Sequence, residues 1–190
     1  MKKYIDRYLY EVAQVLEALD RRAIEDMLNR LNDWHARQGR LFLLGVGGSA
    51  ANTSHAVNDF RKIAGIEAYA PTDNVSELTA RINDEGWDTC FIEWLRGSRL
   101  SSDDMVMVFS VGGGSKNTSF NIVRAVDYAK ALDAQVLGIV SREGGHTARV
   151  ADACVVIPPQ SQDTITPLAE SFQAVVWHLL ATSLAKGGEA

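Results

Sequence analysis

The sequence predicts an α/β domain built on a doubly wound parallel sheet. Three observations carry that prediction: short unbroken apolar runs, helical stretches between them, and glycine-rich turns where a run passes into a helix. At 190 residues the chain has the length of one ordinary domain with a sizeable core. Its 19 Lys and Arg against 24 Asp and Glu give a formal net charge of −5, with no long basic run. That balance argues against holding nucleic acid or an anionic membrane by diffuse electrostatics, so neither is expected as a partner. A small anion held by backbone N–H groups stays open. The start, Met1 to Arg7, leads into a charged helix rather than an apolar leader, and no membrane span follows, so a cytoplasmic protein is expected. Cys90 and Cys154 stand far apart, without the spacing of a zinc site or a disulfide scaffold, and read as reduced, buried fillers.

Tyr4, Tyr8, Val12, Val15, Leu16 and Leu19 make one apolar helical face over residues 4–19. A second helix runs from Asp20 to His35 on Ile24, Met27, Leu28 and Leu31, with Gly39 near its end. This leading pair, residues 1–38, has little sheet to cover and is a candidate subunit interface. From residue 39 the pattern changes. Leu41–Leu44, Met105–Phe109, Val136–Val140 and Cys154–Ile157 are apolar runs without polar alternation, as strands buried on both faces require. Helical stretches at 49–63, 119–132 and 146–151 alternate with them. The segment 66–98 predicts a short strand near Glu67–Ala70, then one or two helices carrying Leu78, Trp87, Phe91 and Trp94. Pro158 and Pro159 end the last strand. Leu168, Phe172, Val175, Val176, Leu179 and Leu180 predict a closing helix to about Ala185, with a frayed tail over 186–190.

Gly45-Val46-Gly47-Gly48-Ser49 follows the first strand and opens a helix. Glycines there let the backbone approach an anion, and the free N–H groups of the helix start point at it. The spacing is neither G-x-G-x-x-G nor a Walker loop. Ser110 to Ser119 repeats the arrangement after a second strand, as Ser-Val-Gly-Gly-Gly-Ser-Lys-Asn-Thr-Ser. Two such loops at strand C-termini converge where open α/β sheets bind ligands, and their hydroxyl-rich composition favours phosphate. His55 and Asp59 are four apart, so they share a helical face, and Glu170 and His178, eight apart, share another.

These residues resemble the SIS (sugar isomerase) domain proteins and, within them, the bacterial phosphoheptose isomerases. The resemblance runs from the leading helices to the closing one. Its most specific part is Gly45 to Ser49 followed by His55 and Asp59, where the family shows G-N-G-G-S, His, then Glu. Asn83-Asp84-Glu85-Gly86-Trp87 is similar to the family's N-D-[YF]-G-aromatic segment, and the Ser110–Ser119 loop and His178 complete the pattern. The resemblance implies a sugar phosphate as ligand, held by Gly47, Gly48, Ser49, Ser110 and Ser119, with Asn83, Asp84 and Glu170 near the sugar. It places the acid/base pair at Asp59 and His178, and in some members a zinc ion on the residues matching His55, Asp59, Glu170 and His178. It also implies a homotetramer with sites between subunits.

Five departures stand against the family pattern. Val46 replaces Asn, Asp59 replaces Glu, Glu170 replaces Gln, and the second serine loop is longer by about four residues. The family's Asp ahead of the last helix falls near Thr166-Pro167. The activity implied is interconversion of sedoheptulose 7-phosphate and D-glycero-D-manno-heptose 7-phosphate. The alternatives are an isomerase of another sugar phosphate and a non-catalytic, phosphosugar-binding regulatory protein.

Overall fold

In the computed structural model, which describes residues 1–187, two helices precede the sheet: α1 (Lys2–Ala18) and α2 (Arg21–His35). Then follow β1 (Leu41–Gly45), α3 (Gly48–Lys62), the two-residue β2 (Ala68–Tyr69), a 3₁₀ turn at Pro71–Asp73, α4 (Val75–Glu85) and α5 (Cys90–Gly97). The second half is β3 (Met105–Ser110), α6 (Phe120–Ala131), β4 (Gln135–Val140), α7 (Gly145–Val150), β5 (Ala153–Val156) and α8 (Ile165–Ala185). All four strand pairings are parallel, in the order β2-β1-β3-β4-β5. This is the doubly wound sheet the sequence predicts.

Strand alternation divides the core in two. Leu41, Leu43, Met105, Met107, Leu137 and Ile139 face one side, with α2, α3 and α8 packed on it. Phe42, Leu44, Val106, Val108 and Val136 face the other, covered by α5 and α6. Every residue of β1 and β3 is buried, so a run without polar alternation is what both faces demand.

The leading helices differ from expectation. Asp20 caps α2 by accepting from the N–H groups of Arg22 and Ala23. Met27, Leu31 and Trp34, spaced four and three, lie fully inside the core, and α2 packs against β5 and α8. Trp34 Nε1–H donates to the Asp103 carbonyl at 2.8 Å. One helix of the pair therefore covers sheet, whereas the sequence left it little to cover. On α1, Val15 is buried, while Tyr4, Ile5, Leu9, Tyr10 and Leu16 stay exposed. Within 66–98 two helices form where one or two were expected. Phe91 and Trp94 are buried, and Trp87 sits exposed between the helices. Cys90 is buried and Cys154 half-buried, both as free thiols, and burial pushes Cys154 up to about 12. Of the expected frayed tail, residues 188–190 lie outside the described residues.

Helix α1 is tied to the segment entering α8. Buried Glu11 accepts from the hydroxyls of Ser161 (2.7 Å) and Thr164, and Arg7 donates to Ser161 and to both carboxylate oxygens of Asp163. The two hydroxyls hold Glu11 below its usual value, and the Arg7 guanidinium holds Asp163 at about 2. In an unfolded chain Asp takes its proton near 3.9, so the stabilisation is complete above that value and is lost as pH falls through about 2. Thermal melts should therefore fall more steeply for the wild type than for Arg7→Ala between about pH 4 and about pH 2. Parallel curves would show that the pairing contributes nothing.

Candidate active site

The first glycine loop closes β1 onto α3. Gly47 at φ +66° makes the turn, and a side chain on Gly45 would overlap the Ser49 backbone. Ser49, the second residue of α3, is buried, and its Oγ accepts from Gln173 Nε2 at 3.0 Å. The second loop is bolted to the start of α7. Ser110 Oγ accepts the Gly113 N–H at 3.0 Å, and the Gly113 carbonyl accepts from Thr147 Oγ1 and Thr147 N–H. Ser110 thus shapes the loop as well as lining the cavity beside it.

Between the loops lies a cavity of about 450 Å³, lined by Val46, Ser49, Ser110, Val111, Gly112, Gly114, Ser115, Thr118, Ser119, Arg142 and Thr166. Six of these carry hydroxyls and none is a carboxylate. Of the residues expected to hold the ligand, Ser49, Ser110 and Ser119 line this cavity, while Gly47 and Gly48 form the turn behind Ser49 and are not among the lining residues. The sequence reading missed Arg142 and Thr166.

Helices α3 and α8 run side by side away from this cavity. Asn52 donates to the Glu170 carbonyl and to Gln173 Oε1 (2.9 and 2.8 Å). Further along, Asp59, His55 and His178 come together, with ligand atoms all within 4.8 Å of one another. His178 Nε2 lies 3.1 Å and His55 Nε2 3.5 Å from Asp59 Oδ2. Trp177 Nε1–H donates to the same oxygen at 3.2 Å, and Asn58 Nδ2 to the other at 3.1 Å. Asp59 is buried while both imidazoles open to solvent, so the group is accessible on one side.

The tautomer of His178 follows from its other nitrogen. Nδ1 is 2.7 Å from the Ala174 carbonyl, which can only accept, so Nδ1 carries a proton. In the neutral ring Nε2 is then a lone pair facing a carboxylate oxygen. Two acceptors at 3.1 Å require a proton or a cation between them. Two imidazoles and a carboxylate with an open side also make a three-ligand set of catalytic type, and the Nδ1–H bond to a carbonyl is the usual orienting contact for a ligating histidine. The residues present therefore fit a metal ion.

Glu170 is not brought into this group. Its carboxylate packs against Gly48 in the first turn of α3, where the helix dipole favours negative charge. Asn83 and Asp84 are exposed on α4, hydrogen-bonded to one another at 2.7 Å, and do not line the cavity. Gln173 and Trp177, which hold Ser49 and Asp59, were missed by the sequence reading. Gln173 left one signal: it is a polar residue on the otherwise apolar stripe that runs through Ala169, Phe172, Val176 and Trp177.

The profile of the SIS domain family matches residues 4–141, well over half the chain. The chain belongs to the SIS domain family. Among its relatives, the phosphoheptose isomerase of Aneurinibacillus thermoaerophilus is 26% identical over 190 residues, covering 95% of this chain and 91% of that protein. The phosphoheptose isomerase of Rhodospirillum rubrum is 30% identical over 147 residues, covering 75% and 73%. The solved phosphoheptose isomerase GmhA of Neisseria gonorrhoeae superposes with a TM-score of 0.83 over 97% of this chain and 98% of that one, at 22% identity. The cavity lies at the C-terminal ends of β1 and β3, the crevice where open α/β sheets commonly bind ligands.

In this SIS domain the cavity depends on glycines that are not equivalent. A methyl at Gly113 would overlap the Gly144 carbonyl in a backbone at φ +66°, whereas at Gly112 it would meet open space. Gly113→Ala should therefore cost about 2–5 kcal/mol and Gly112→Ala less than about 0.5 kcal/mol in urea unfolding. Equal costs would show that the second loop is not clamped by α7.

Proposed function

We propose that the protein is a phosphoheptose isomerase that interconverts sedoheptulose 7-phosphate and D-glycero-D-manno-heptose 7-phosphate. The observation that carries the reading is the His55, Asp59 and His178 group, set along the same two helices whose first turns border a hydroxyl-lined, carboxylate-free cavity. His55 is six residues beyond Ser49 on α3, about 9 Å by helical rise, and Asp59 is ten, about 15 Å. Helical side chains lean toward the N-terminus, which shortens both spans. A seven-carbon chain with six C–C bonds of about 1.5 Å has the length to bridge from a phosphate in the cavity toward the group.

Asp59 removes the proton on the carbon next to the carbonyl, an enediol forms, and the proton returns to the neighbouring carbon, with His178 exchanging a proton with the substrate oxygens. Trp177 and Asn58 fix the carboxylate for this step. His55, Asp59 and His178 would hold a zinc ion, which would supply Lewis-acid polarisation of the carbonyl and hydroxyl oxygens. A cytoplasmic setting suits this chemistry, and among the described residues no helix is long and apolar enough to cross a membrane. A second reading keeps the isomerisation and changes the sugar. It is favoured by Val46, whose side chain stands in the cavity wall where the resemblance expects Asn.

Asp59→Asn and His178→Gln should each lower turnover of sedoheptulose 7-phosphate at least about 100-fold while phosphosugar affinity stays within a few-fold. Metal analysis of the same variants and of His55→Ala separates the roles, because loss of zinc in all three marks them as ligands. Full activity in both Asp59→Asn and His178→Gln would leave the isomerase without its chemistry.

The protein is proposed to act as a homotetramer with sites between subunits, residues 1–38 serving association. Support comes from the exposed Leu9 and Tyr10 on α1 and Val175 and Leu179 on α8, and from Asn83 and Asp84, which stay exposed and do not line the hydroxyl-rich cavity. Light scattering at micromolar concentration should give a tetramer and Leu9→Glu a smaller species. A stable wild-type monomer would refute the assembly.

A further inference from the structure

We infer that Arg142 is the side-chain cation that holds the phosphate of the ligand in the hydroxyl-lined cavity, a role that rests on the phosphosugar reading of that cavity. Three observations converge on it. Arg142 is the one charged residue in the cavity wall. Among the described residues no carboxylate lies within ion-pair distance of its guanidinium; seven other arginines share that state, among them Arg61 and Arg99, but Arg142 alone of them stands in the cavity wall. A cation left unpaired beside hydroxyls and glycine N–H groups has the geometry of an anion receptor rather than of a structural ion pair.

The third observation is the backbone. Arg142 sits at φ +52°, a left-handed conformation that a side chain disfavours and that glycine or asparagine adopts without difficulty. The conformation is imposed from the preceding residue. The buried Ser141 donates its N–H to the Val111 carbonyl at 3.2 Å and its hydroxyl to the Ile157 carbonyl at 2.8 Å, and its own carbonyl accepts the Gly144 N–H at 2.9 Å. The turn is therefore fixed to the second loop and to the chain leaving β5, and Arg142 is delivered to the cavity from a strained position. Gln38, Arg99 and Asp133 hold the same conformation just after α2, α5 and α6, so the backbone counts here only together with the place of the side chain in the cavity wall. Strain retained under a charged side chain in a cavity wall points to the side chain's use.

The proposal makes affinity and stability move in opposite directions. Arg142→Gly and Arg142→Asn relieve the backbone, so their melting temperatures should equal or exceed the wild type's. Their affinity for inorganic phosphate, measured by isothermal titration, should fall at least about 10-fold, the scale of a charge-assisted hydrogen bond. KM for sedoheptulose 7-phosphate should rise in parallel while kcat changes by less than about 3-fold. Arg142→Lys, keeping the charge without the fork, should recover part of the affinity. The double variant Ser49→Ala, Ser119→Ala is run beside them. If it weakens phosphate binding while Arg142→Gly and Arg142→Asn bind as wild type, the role of Arg142 is overturned and the cavity reading stands. If none of the variants weakens binding, the cavity reading itself falls.

Discussion

Gln173 is a carboxamide with no exposure to water in the middle of a helix packed on two layers of the protein. An amide buried without partners costs several kcal/mol, about 2–7 by transfer measurements, so both of its ends must be satisfied. Ser49 Oγ takes its N–H and Asn52 Nδ2 supplies its oxygen, and both partners lie in the first turns of α3. The register of α8 on α3 is set by that requirement. Sliding α8 by one turn would leave the amide, Asn52 and Ser49 without partners together. Given this register, Trp177 and His178 reach Asp59 one turn further along, and Thr166 reaches the cavity at the other end.

The parts of this arrangement that follow from local pattern were legible in the sequence. Strands buried on both faces have to be unbroken apolar runs, and turns such as the one at Gly47 have to be glycine, so β1, β3, β4 and β5 could be located to within one residue at each end, and the two loops with them. His55 and Asp59 were placed together because four residues on one helix fix their distance. What lay beyond reach depended on which helix meets which, and in what register. Periodicity assigned Glu170 and His178 a common face, yet only the Gln173 contact shows that Glu170 ends beside Gly48 while His178 ends beside Asp59. Arg142 was invisible for another reason. Its position comes from the hydrogen bonds of Ser141 to two distant segments, and nothing in Ser-Arg-Glu-Gly-Gly announces a left-handed arginine. Helix α2 was underestimated because the face of β5 that it covers appears only once the strand order is known.

The departures from the family pattern fall on this frame in different ways. Asp59 reaches about one C–C bond, roughly 1.5 Å, less far than the Glu of the resemblance. Its two oxygens are nonetheless each fixed by a neighbour, and both histidines still converge on Oδ2. Val46 stands in the cavity wall among hydroxyl-bearing residues, an apolar residue where the resemblance expects an amide. The replacement of Gln by Glu at position 170 puts a negative charge at the opening turn of α3. That turn's unpaired N–H groups favour it there, which gives a physical reason for Glu170 to stay out of the His55, Asp59 and His178 group.

On the proposed reading an acidic protein binds a phosphate dianion and has to solve a long-range problem, since a net charge of −5 repels such a ligand at a distance. The distribution of charge near the cavity answers it. The wall offers hydroxyls, glycine N–H groups and one guanidinium, with every carboxylate kept out of it. Screening removes most of the repulsion from surface acids beyond a Debye length of about 8 Å at physiological ionic strength, whereas contacts inside a half-enclosed cavity are screened far less. Local dipoles and a single unpaired cation then outweigh an unfavourable net charge.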